Sequence, residues 1–135
     1  MKSRVTYASG MEFTGEVDGF SVTMDTKEDL GGQNKGPMPK GLLLTALGGC
    51  TGMEVVSILK KMQVDPGQLT IDIESDSAQE DPRVFIRLTL NYTFSGGSVT
   101  KEQAERAVQL SQETYCSISV MLGKTCTVGY SVTIA

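Results

Sequence analysis

The chain has 135 residues, a formal net charge of −4 and a hydrophobic content of 39%, which is the composition of an ordinary globular protein. A chain of this length can bury a core but is too short to divide comfortably, so we expect one domain over residues 1–135. The acidic balance argues against nucleic acid as a partner, because such binding needs clustered Lys and Arg. The sequence has no histidine, which excludes Ser-His-Asp, Cys-His and H-E-x-x-H chemistries.

The first residues, MKSRVTYASG, lack the apolar segment of a signal peptide. We also find no run that approaches the roughly 18 apolar residues needed to span a bilayer. We therefore expect a cytoplasmic protein with no membrane partner.

The N-terminal third has apolar residues at alternating positions, which predicts three short strands. The alternating residues are Val5 and Tyr7, then Met11, Phe13 and Val17, then Phe20, Val22 and Met24. Ala8-Ser9-Gly10 is predicted as the first turn. Asp18-Gly19 is predicted as a type I′ turn, because both central residues of that turn need positive φ. This third is therefore a β-meander.

A glycine-rich loop, Lys27–Met38, leads into a long helix predicted from Pro39 to Lys61. Leu42–Leu47 is apolar nearly all round, so we expect the helix to be buried. Gly48 and Gly49 each cost about 1 kcal/mol of helix stability relative to Ala and predict close approach by another backbone. One subunit has too little sheet to cover such a helix on all sides, so we expect a homodimer.

Two strands, two helices and a final strand follow. Leu69, Ile71 and Ile73 alternate with polar residues, and Val84–Phe94 has the clearest strand pattern, so we expect a long hairpin. Thr100 and Gln103 form a capping box at the start of a helix with a small-residue stripe. The stripe comprises Ala104, Ala107, Val108, Ser111 and Tyr115, and it is followed by a short helix at Ser117–Leu122 and a strand at Val128–Ile134. The order β-β-β-α-β-β-α-α-β predicts an α+β fold with a mainly antiparallel sheet wrapped around the long central helix.

Three cysteines, Cys50, Cys116 and Cys126, form no C-x-x-C pair and are too few for a four-ligand zinc or iron–sulfur site. We therefore expect no metal and no cofactor. In a reducing cytosol permanent disulfides are rare, so a pair that bonds is catalytic or sensing. Cys116 precedes a predicted helix, whose N–H groups and dipole stabilise a thiolate. Cys126 has the parity of Val128 on an apolar strand face, which indicates a structural role.

Several residues together resemble one known family. They are LGGQ at 30–33, Gly36-Pro37-Met38-Pro39 opening a helix that carries Cys50 after small residues, and Tyr115-Cys116-Ser117 ahead of a short helix. The chain resembles a divergent OsmC-like member of the OsmC/Ohr family of osmotically induced and organic-hydroperoxide-resistance proteins. The resemblance covers nearly the whole chain. It implies an OsmC-like fold and an intertwined homodimer with the cysteine helices at its centre.

The resemblance also implies a thiol peroxidase, in which Cys50 is the peroxidatic cysteine and Cys116 the resolving one. Cys50 would become a sulfenic acid that Cys116 converts to a disulfide. The implied partners are a small organic hydroperoxide, or another apolar small molecule, and a dithiol reductant. We therefore expect the two thiols to meet in space.

The family also uses an arginine of the N-terminal hairpin region and a glutamate in the first turn of the cysteine helix. This chain has no arginine between Arg4 and Arg83, and Lys40 occupies the glutamate's position. Lys40, and Glu54 one turn after Cys50, are the candidate supporting residues.

An alternative function stays open at this point. A free cysteine on an apolar helix is commonly a core residue, and the arginine–glutamate pair is absent. The chain could therefore be a non-peroxidase dimeric protein that binds a small molecule or senses redox state.

Overall fold

Residues Met1–Thr45 form the first of two units in the computed structural model, which describes residues 1–135, and Ala46–Ala135 form the second. The first unit contains β1 (Ser3–Ser9), β2 (Glu12–Val17) and β3 (Phe20–Met24), paired antiparallel in the order β1-β2-β3. Asp18 and Gly19 have φ values of 51° and 82°, as a type I′ turn requires. The predicted meander is confirmed, whereas the single domain over residues 1–135 stays a prediction.

One carboxylate fixes the loop that follows β3. Asp25 Oδ1 accepts the Thr26 N–H at 2.7 Å, and Oδ2 accepts the N–H groups of Gln33 and Lys35 at 3.2 Å each. The bond from Thr26, aided by the other two, holds the pKa of the Asp25 carboxyl below its ordinary value. The loop also contains a 3-10 turn, Glu28–Leu30, that the sequence did not predict.

The helix α1 has the predicted bounds, Pro39–Lys61. Within one chain it is buried only along a stripe at four-residue spacing, which consists of Leu47, Thr51, Val55 and Leu59. The single chain leaves the rest of the helix uncovered, with Met53 77% exposed, as expected for one subunit alone, and burial of the whole helix in a dimer stays a prediction. We expected no segment long and apolar enough to span a bilayer, and this is wrong: α1 has the necessary length and reaches a mean hydropathy of 1.7. Core helices of soluble proteins pass the same test.

The second unit is built on a sheet of β4 (Gln68–Ser77), β5 (Phe85–Ser95) and β6 (Thr127–Ile134), in the order β4-β5-β6. The β4–β5 hairpin is antiparallel, as predicted, whereas β5 and β6 run parallel. Parallel pairing needs a crossover connection, and the helices between β5 and β6 supply it. The α+β class and the mainly antiparallel pairing are confirmed. The core of the sheet is the buried face of β5, made by Leu88, Leu90, Tyr92 and Phe94.

Glycines let α1 pack closely on β4. A Cβ at Gly48 would lie 2.9 Å from Ile73 Cδ1, and one at Gly52 would lie 3.2 Å from Ile71 Cδ1. At Gly49 a Cβ would meet nothing within 4 Å. The expected approach of a backbone is therefore wrong: at Gly48 an isoleucine side chain approaches, and Gly49 faces open space in the single chain.

The helical segment between β5 and β6 changes character before Cys116. The helix α2 (Lys101–Leu110) begins with the predicted capping box, in which Thr100 Oγ1 accepts the Gln103 N–H and Gln103 Oε1 accepts the Thr100 N–H. Ser111–Tyr115 is then a π-helix instead of a continued α-helix. The short helix α3 (Ser117–Gly123) follows, as predicted. Cys116 therefore lies at the junction of the π-helix and α3.

Candidate functional site

Two cysteines from distant parts of the chain lie in contact. Cys116 Sγ donates a hydrogen bond to Cys50 Sγ across 2.9 Å, although 66 positions separate the two residues. Cys50 is half-buried and Cys116 fully buried. The expected meeting of the thiols is observed, and a disulfide of about 2.05 Å lies within reach of a small side-chain movement. The assignment of peroxidatic and resolving roles stays a prediction.

Backbone contacts hold Cys116 at the helix junction. Its N–H donates to Ser111 O at 2.8 Å, which is the i to i+5 bond of the π-helix. Its sulfur accepts the Ser119 N–H at 3.4 Å, so Cys116 caps the first turn of α3. The Cys116 carbonyl accepts the Val120 N–H at 3.1 Å. Its sulfur is therefore fixed by the chain on both sides.

Burial decides the protonation of Cys116. Burial raises the pKa of the Cys116 thiol, and its hydrogen bond to Cys50 raises that pKa further. The donors of Ser119 act in the opposite direction but do not outweigh burial. The sequence indicated a thiolate at this helix start, and the structure corrects that interpretation: the Cys116 sulfur keeps its proton at neutral pH and is the donor of the pair.

A buried cluster of hydroxyl and amide groups lies beside the two cysteines. Thr51 Oγ1 is 2.7 Å from Tyr92 OH and 2.7 Å from Ser111 Oγ. Gln112 Nε2 donates to Tyr92 OH at 2.7 Å and to Thr51 Oγ1 at 3.3 Å. Burial raises the pKa of Tyr92, so its phenol is neutral. We name Thr51, Tyr92, Ser111 and Gln112 the hydroxyl cluster.

The sequence interpretation did not identify the hydroxyl cluster. Thr51 carried one signal, since it is a polar residue within the apolar helix. Tyr92 has the parity of the buried face of β5, and Ser111 belongs to the small-residue stripe. Contacts between groups 41 and 60 positions apart could not be derived from these local patterns.

The candidate supporting residues lie in different units. Glu54 is half-buried, one turn after Cys50 in α1. Lys40 is half-buried in the first turn of α1 and belongs to Met1–Thr45, whereas both cysteines belong to Ala46–Ala135. The three arginines of that second unit, Arg83, Arg87 and Arg106, are exposed.

Cys126 is separate from the thiol pair. Its sulfur donates to Leu122 O at 3.2 Å in the turn before β6. This contact agrees with a structural role. The structure contains no group of three or more Cys, Asp or Glu side chains placed to hold a metal ion.

The sequence of the chain matches a known protein family. The profile of the family described as "OsmC-like protein" matches residues 32–131. The chain belongs to this family. The matched segment includes Cys50, Cys116 and all four residues of the hydroxyl cluster.

Individual relatives agree with this membership. This OsmC-like chain is 34% identical over 132 residues to Protein YhfA of Escherichia coli, covering 97% of this chain and 96% of YhfA. The crystal structure of a hypothetical protein from Aquifex aeolicus covers 99% of this chain and 96% of its own, with a TM-score of 0.84 and 25% identity.

One more distant structure has a name that mentions organic hydroperoxides. It is an organic hydroperoxide resistance protein OsmC, "predicted redox protein, regulator of sulfide bond formation", from Legionella pneumophila. The alignment covers 100% of this chain and 97% of that protein, with a TM-score of 0.70 and 15% identity. At this identity the comparison shows a shared fold alone.

Proposed function

We propose that this OsmC-like protein reduces small organic hydroperoxides through Cys50 and Cys116, as a soluble cytoplasmic homodimer that a small dithiol restores. The observation that carries the proposal is the 2.9 Å contact between the two sulfurs. Family membership supports redox chemistry for such a pair, and the name of the Legionella pneumophila protein supports hydroperoxide as the substrate class.

The unequal exposure of the two cysteines supports the proposed peroxidatic and resolving roles. Cys50 is half-buried and Cys116 fully buried, so a hydroperoxide reaches Cys50 first. The Cys50 thiolate attacks the terminal oxygen of the hydroperoxide, and the O–O bond breaks. The alkoxide takes a proton and leaves as an alcohol, while Cys50 becomes a sulfenic acid.

Cys116 completes the oxidative half of the cycle. Its sulfur attacks Cys50 Sγ, and the sulfenic oxygen leaves as water with the Cys116 proton. A dithiol reductant then reduces the Cys50–Cys116 disulfide and becomes a disulfide itself.

The chain supplies a donor to the Cys50 sulfur without the family's arginine. Cys116 Sγ donates a hydrogen bond to Cys50 Sγ at 2.9 Å. We propose that Cys116 serves both as this donor and as the resolving thiol. Lys40 and Glu54 stay candidate supporting residues, the latter one turn from Cys50 on α1.

Exposed apolar side chains support the homodimer. On α1, Leu43 is 46% exposed and Met53 77% exposed, and in the first unit Phe20 is 75% exposed. A helix that is apolar nearly all round is normally buried in a soluble protein, whereas one chain covers α1 only along its stripe of four buried residues. A second copy of the chain would cover the exposed side chains, and sedimentation of the protein as a stable monomer at micromolar concentration would contradict the dimer.

Steady-state turnover tests the activity. With dihydrolipoamide as reductant and cumene hydroperoxide as substrate, the reduced protein should consume hydroperoxide in proportion to its concentration. Cys50→Ser should abolish turnover, whereas the matched variant Cys126→Ser should keep it, because the Cys126 sulfur donates to the Leu122 carbonyl and is no part of the thiol pair. Equal turnover by Cys50→Ser and the unmodified protein would overturn the proposal.

A second candidate function is a redox sensor without peroxidase turnover. The observation that favours it is the exposure of Arg83, Arg87 and Arg106, which leaves the second unit without a buried arginine. A sensor would form the Cys50–Cys116 disulfide with a general oxidant such as diamide but would not turn over hydroperoxide. Rapid disulfide formation with diamide and none with cumene hydroperoxide would favour this candidate.

A further inference from the structure

The hydroxyl cluster connects the two segments that carry the cysteines. Thr51 directly follows Cys50 in α1, and Ser111 O accepts the N–H of Cys116. The 2.7 Å contact between Thr51 Oγ1 and Ser111 Oγ therefore joins the backbone next to Cys50 with the backbone of Cys116. Together with the sulfur–sulfur contact, these bonds form a closed ring.

Every hydroxyl and amide N–H donor in the cluster can have an acceptor at the same time. Gln112 Nε2 donates to Tyr92 OH and Thr51 Oγ1, and Tyr92 OH donates to Thr51 Oγ1. Thr51 Oγ1 donates to Ser111 Oγ, which donates to Thr51 O at 3.4 Å. Each hydroxyl proton has one acceptor in this arrangement. A largely buried network whose donors all have acceptors favours a single side-chain arrangement.

The π-helix gives Ser111 two functions in this ring. In a regular α-helix the Cys116 N–H would bond to residue 112, four positions earlier. The π-helix moves that bond to Ser111 O. The carbonyl of Ser111 therefore fixes Cys116 while its hydroxyl fixes Thr51. π-Helical turns of this type are frequent at functional sites.

We propose that Thr51, Tyr92, Ser111 and Gln112 are positioning residues that hold Cys50 Sγ and Cys116 Sγ in the register required for disulfide formation. The proposal rests on the redox function proposed for this thiol pair. The cluster acts through the two cysteines. The cluster should raise the effective concentration of one thiol toward the other. That concentration is high only when the two sulfurs are held close to bonding geometry.

The dithiol–disulfide equilibrium with glutathione measures that effective concentration directly. All proteins carry Cys126→Ser, so that only the pair exchanges. Thr51→Val removes the hydroxyl at nearly constant volume and should lower the effective concentration at least about tenfold, which corresponds to 1.4 kcal/mol. Thr51→Ser keeps the hydroxyl and should restore it to within about twofold of the unmodified value, a difference below 0.5 kcal/mol.

A tyrosine pair provides matched controls. Tyr92→Phe removes one hydroxyl from the cluster but keeps the ring, which packs edge-on against Tyr130 with centroids 6.4 Å apart. It should lower the effective concentration about threefold or more, a difference of at least about 0.6 kcal/mol. Tyr130→Phe removes a hydroxyl of the same chemistry outside the cluster and should leave the value unchanged.

The outcomes separate positioning from general stability. If the cluster only stabilises the fold, Tyr92→Phe will lower the free energy of unfolding while the effective concentration stays constant, and the proposal is overturned. If Thr51→Val does not fold, the result with folded Tyr92→Phe decides in the same way. Because the assay contains no hydroperoxide, a fall in effective concentration supports positioning even in a protein that fails the turnover assay.

Discussion

A methyl group introduced at Gly48 tests how closely α1 packs on β4, and hence how firmly the helix that carries Cys50 is placed. A Cβ there would lie 2.9 Å from Ile73 Cδ1, which is closer than two carbon atoms approach without a shift. Because the obstructing atom ends a side chain, we expect Ile73 to adjust at a cost of about 1–3 kcal/mol for overpacking. Replacement of a helical glycine by alanine by itself stabilises the helix by about 1 kcal/mol.

The Gly48→Ala variant should therefore be less stable than the unmodified protein by up to about 2 kcal/mol. Ile73→Val removes the obstructing Cδ1 atom and by itself should cost about 0.5–1.5 kcal/mol. In the Ile73→Val background, Gly48→Ala should become stabilising by about 1 kcal/mol. The sign of the alanine effect thus reverses between the two backgrounds.

Chemical denaturation of the two single variants and the double variant measures this coupling. The expected interaction energy is about 1–3 kcal/mol in favour of the double variant. Additive effects, with Gly48→Ala equally destabilising in both backgrounds, would refute the contact between α1 and β4 as the cause.

Three further predictions concern single residues. Asp25→Asn should lower the free energy of unfolding at pH 7 and make it less dependent on pH in acid. The pKa of Asp25 in the folded protein is depressed, so the stabilisation by its carboxylate is present above the ordinary pKa of 3.8 and is lost as the pH falls through the pKa of the folded state. Urea titrations from pH 2 to 7 would show this, and an unchanged acid slope would contradict it. The raised pKa values of Cys116 and Tyr92 have the opposite sign, so stability should fall as the pH rises above the ordinary values of 9.0 and 10.0. The variants Tyr92→Phe and Cys116→Ser, unfolded under reducing conditions, should each lose less stability at alkaline pH than the unmodified protein. If both variants lose as much as the unmodified protein, burial of these groups is not the cause. Thr100→Ala removes the cap of α2 and should cost about 1 kcal/mol by denaturation; Thr133→Val, at an exposed position of β6, should change stability by less than about 0.5 kcal/mol.

Periodicity and turn chemistry predicted most of the fold. Asp18-Gly19 indicated the first hairpin type because so few residues accept positive φ at both positions. Pro39 and Lys61 marked the ends of α1, and Thr100 with Gln103 marked the start of α2. Each of these signals depends on a few neighbouring residues, so the local sequence is enough to predict these turns and helix ends.

Features that depend on packing were harder to predict. The π-helix at Ser111–Tyr115 uses residues that suit an α-helix equally well, so no local pattern predicts its i to i+5 bond. The stripe of α1 that one chain buries could not be predicted, because apolarity all round a helix does not specify which surface that chain covers. The parallel pairing of β5 and β6 likewise depends on the path of the intervening helices.

The thiol pair was predicted through a resemblance and not through residue patterns alone. Cys50 and Cys116 have no sequence spacing that indicates contact, and local reasoning favoured a thiolate at Cys116. The structure shows that burial outweighs the start of α3 for the pKa of this thiol. The donor to Cys50 is therefore the second cysteine itself, which no pattern in the sequence indicated.

A thiol count after a single oxidation tests the central claim most directly. One equivalent of cumene hydroperoxide per reduced chain should consume two thiols, and peptide mapping should identify one disulfide, between Cys50 and Cys116, with Cys126 still free. Three free thiols after prolonged exposure, or a disulfide that includes Cys126, would contradict the account.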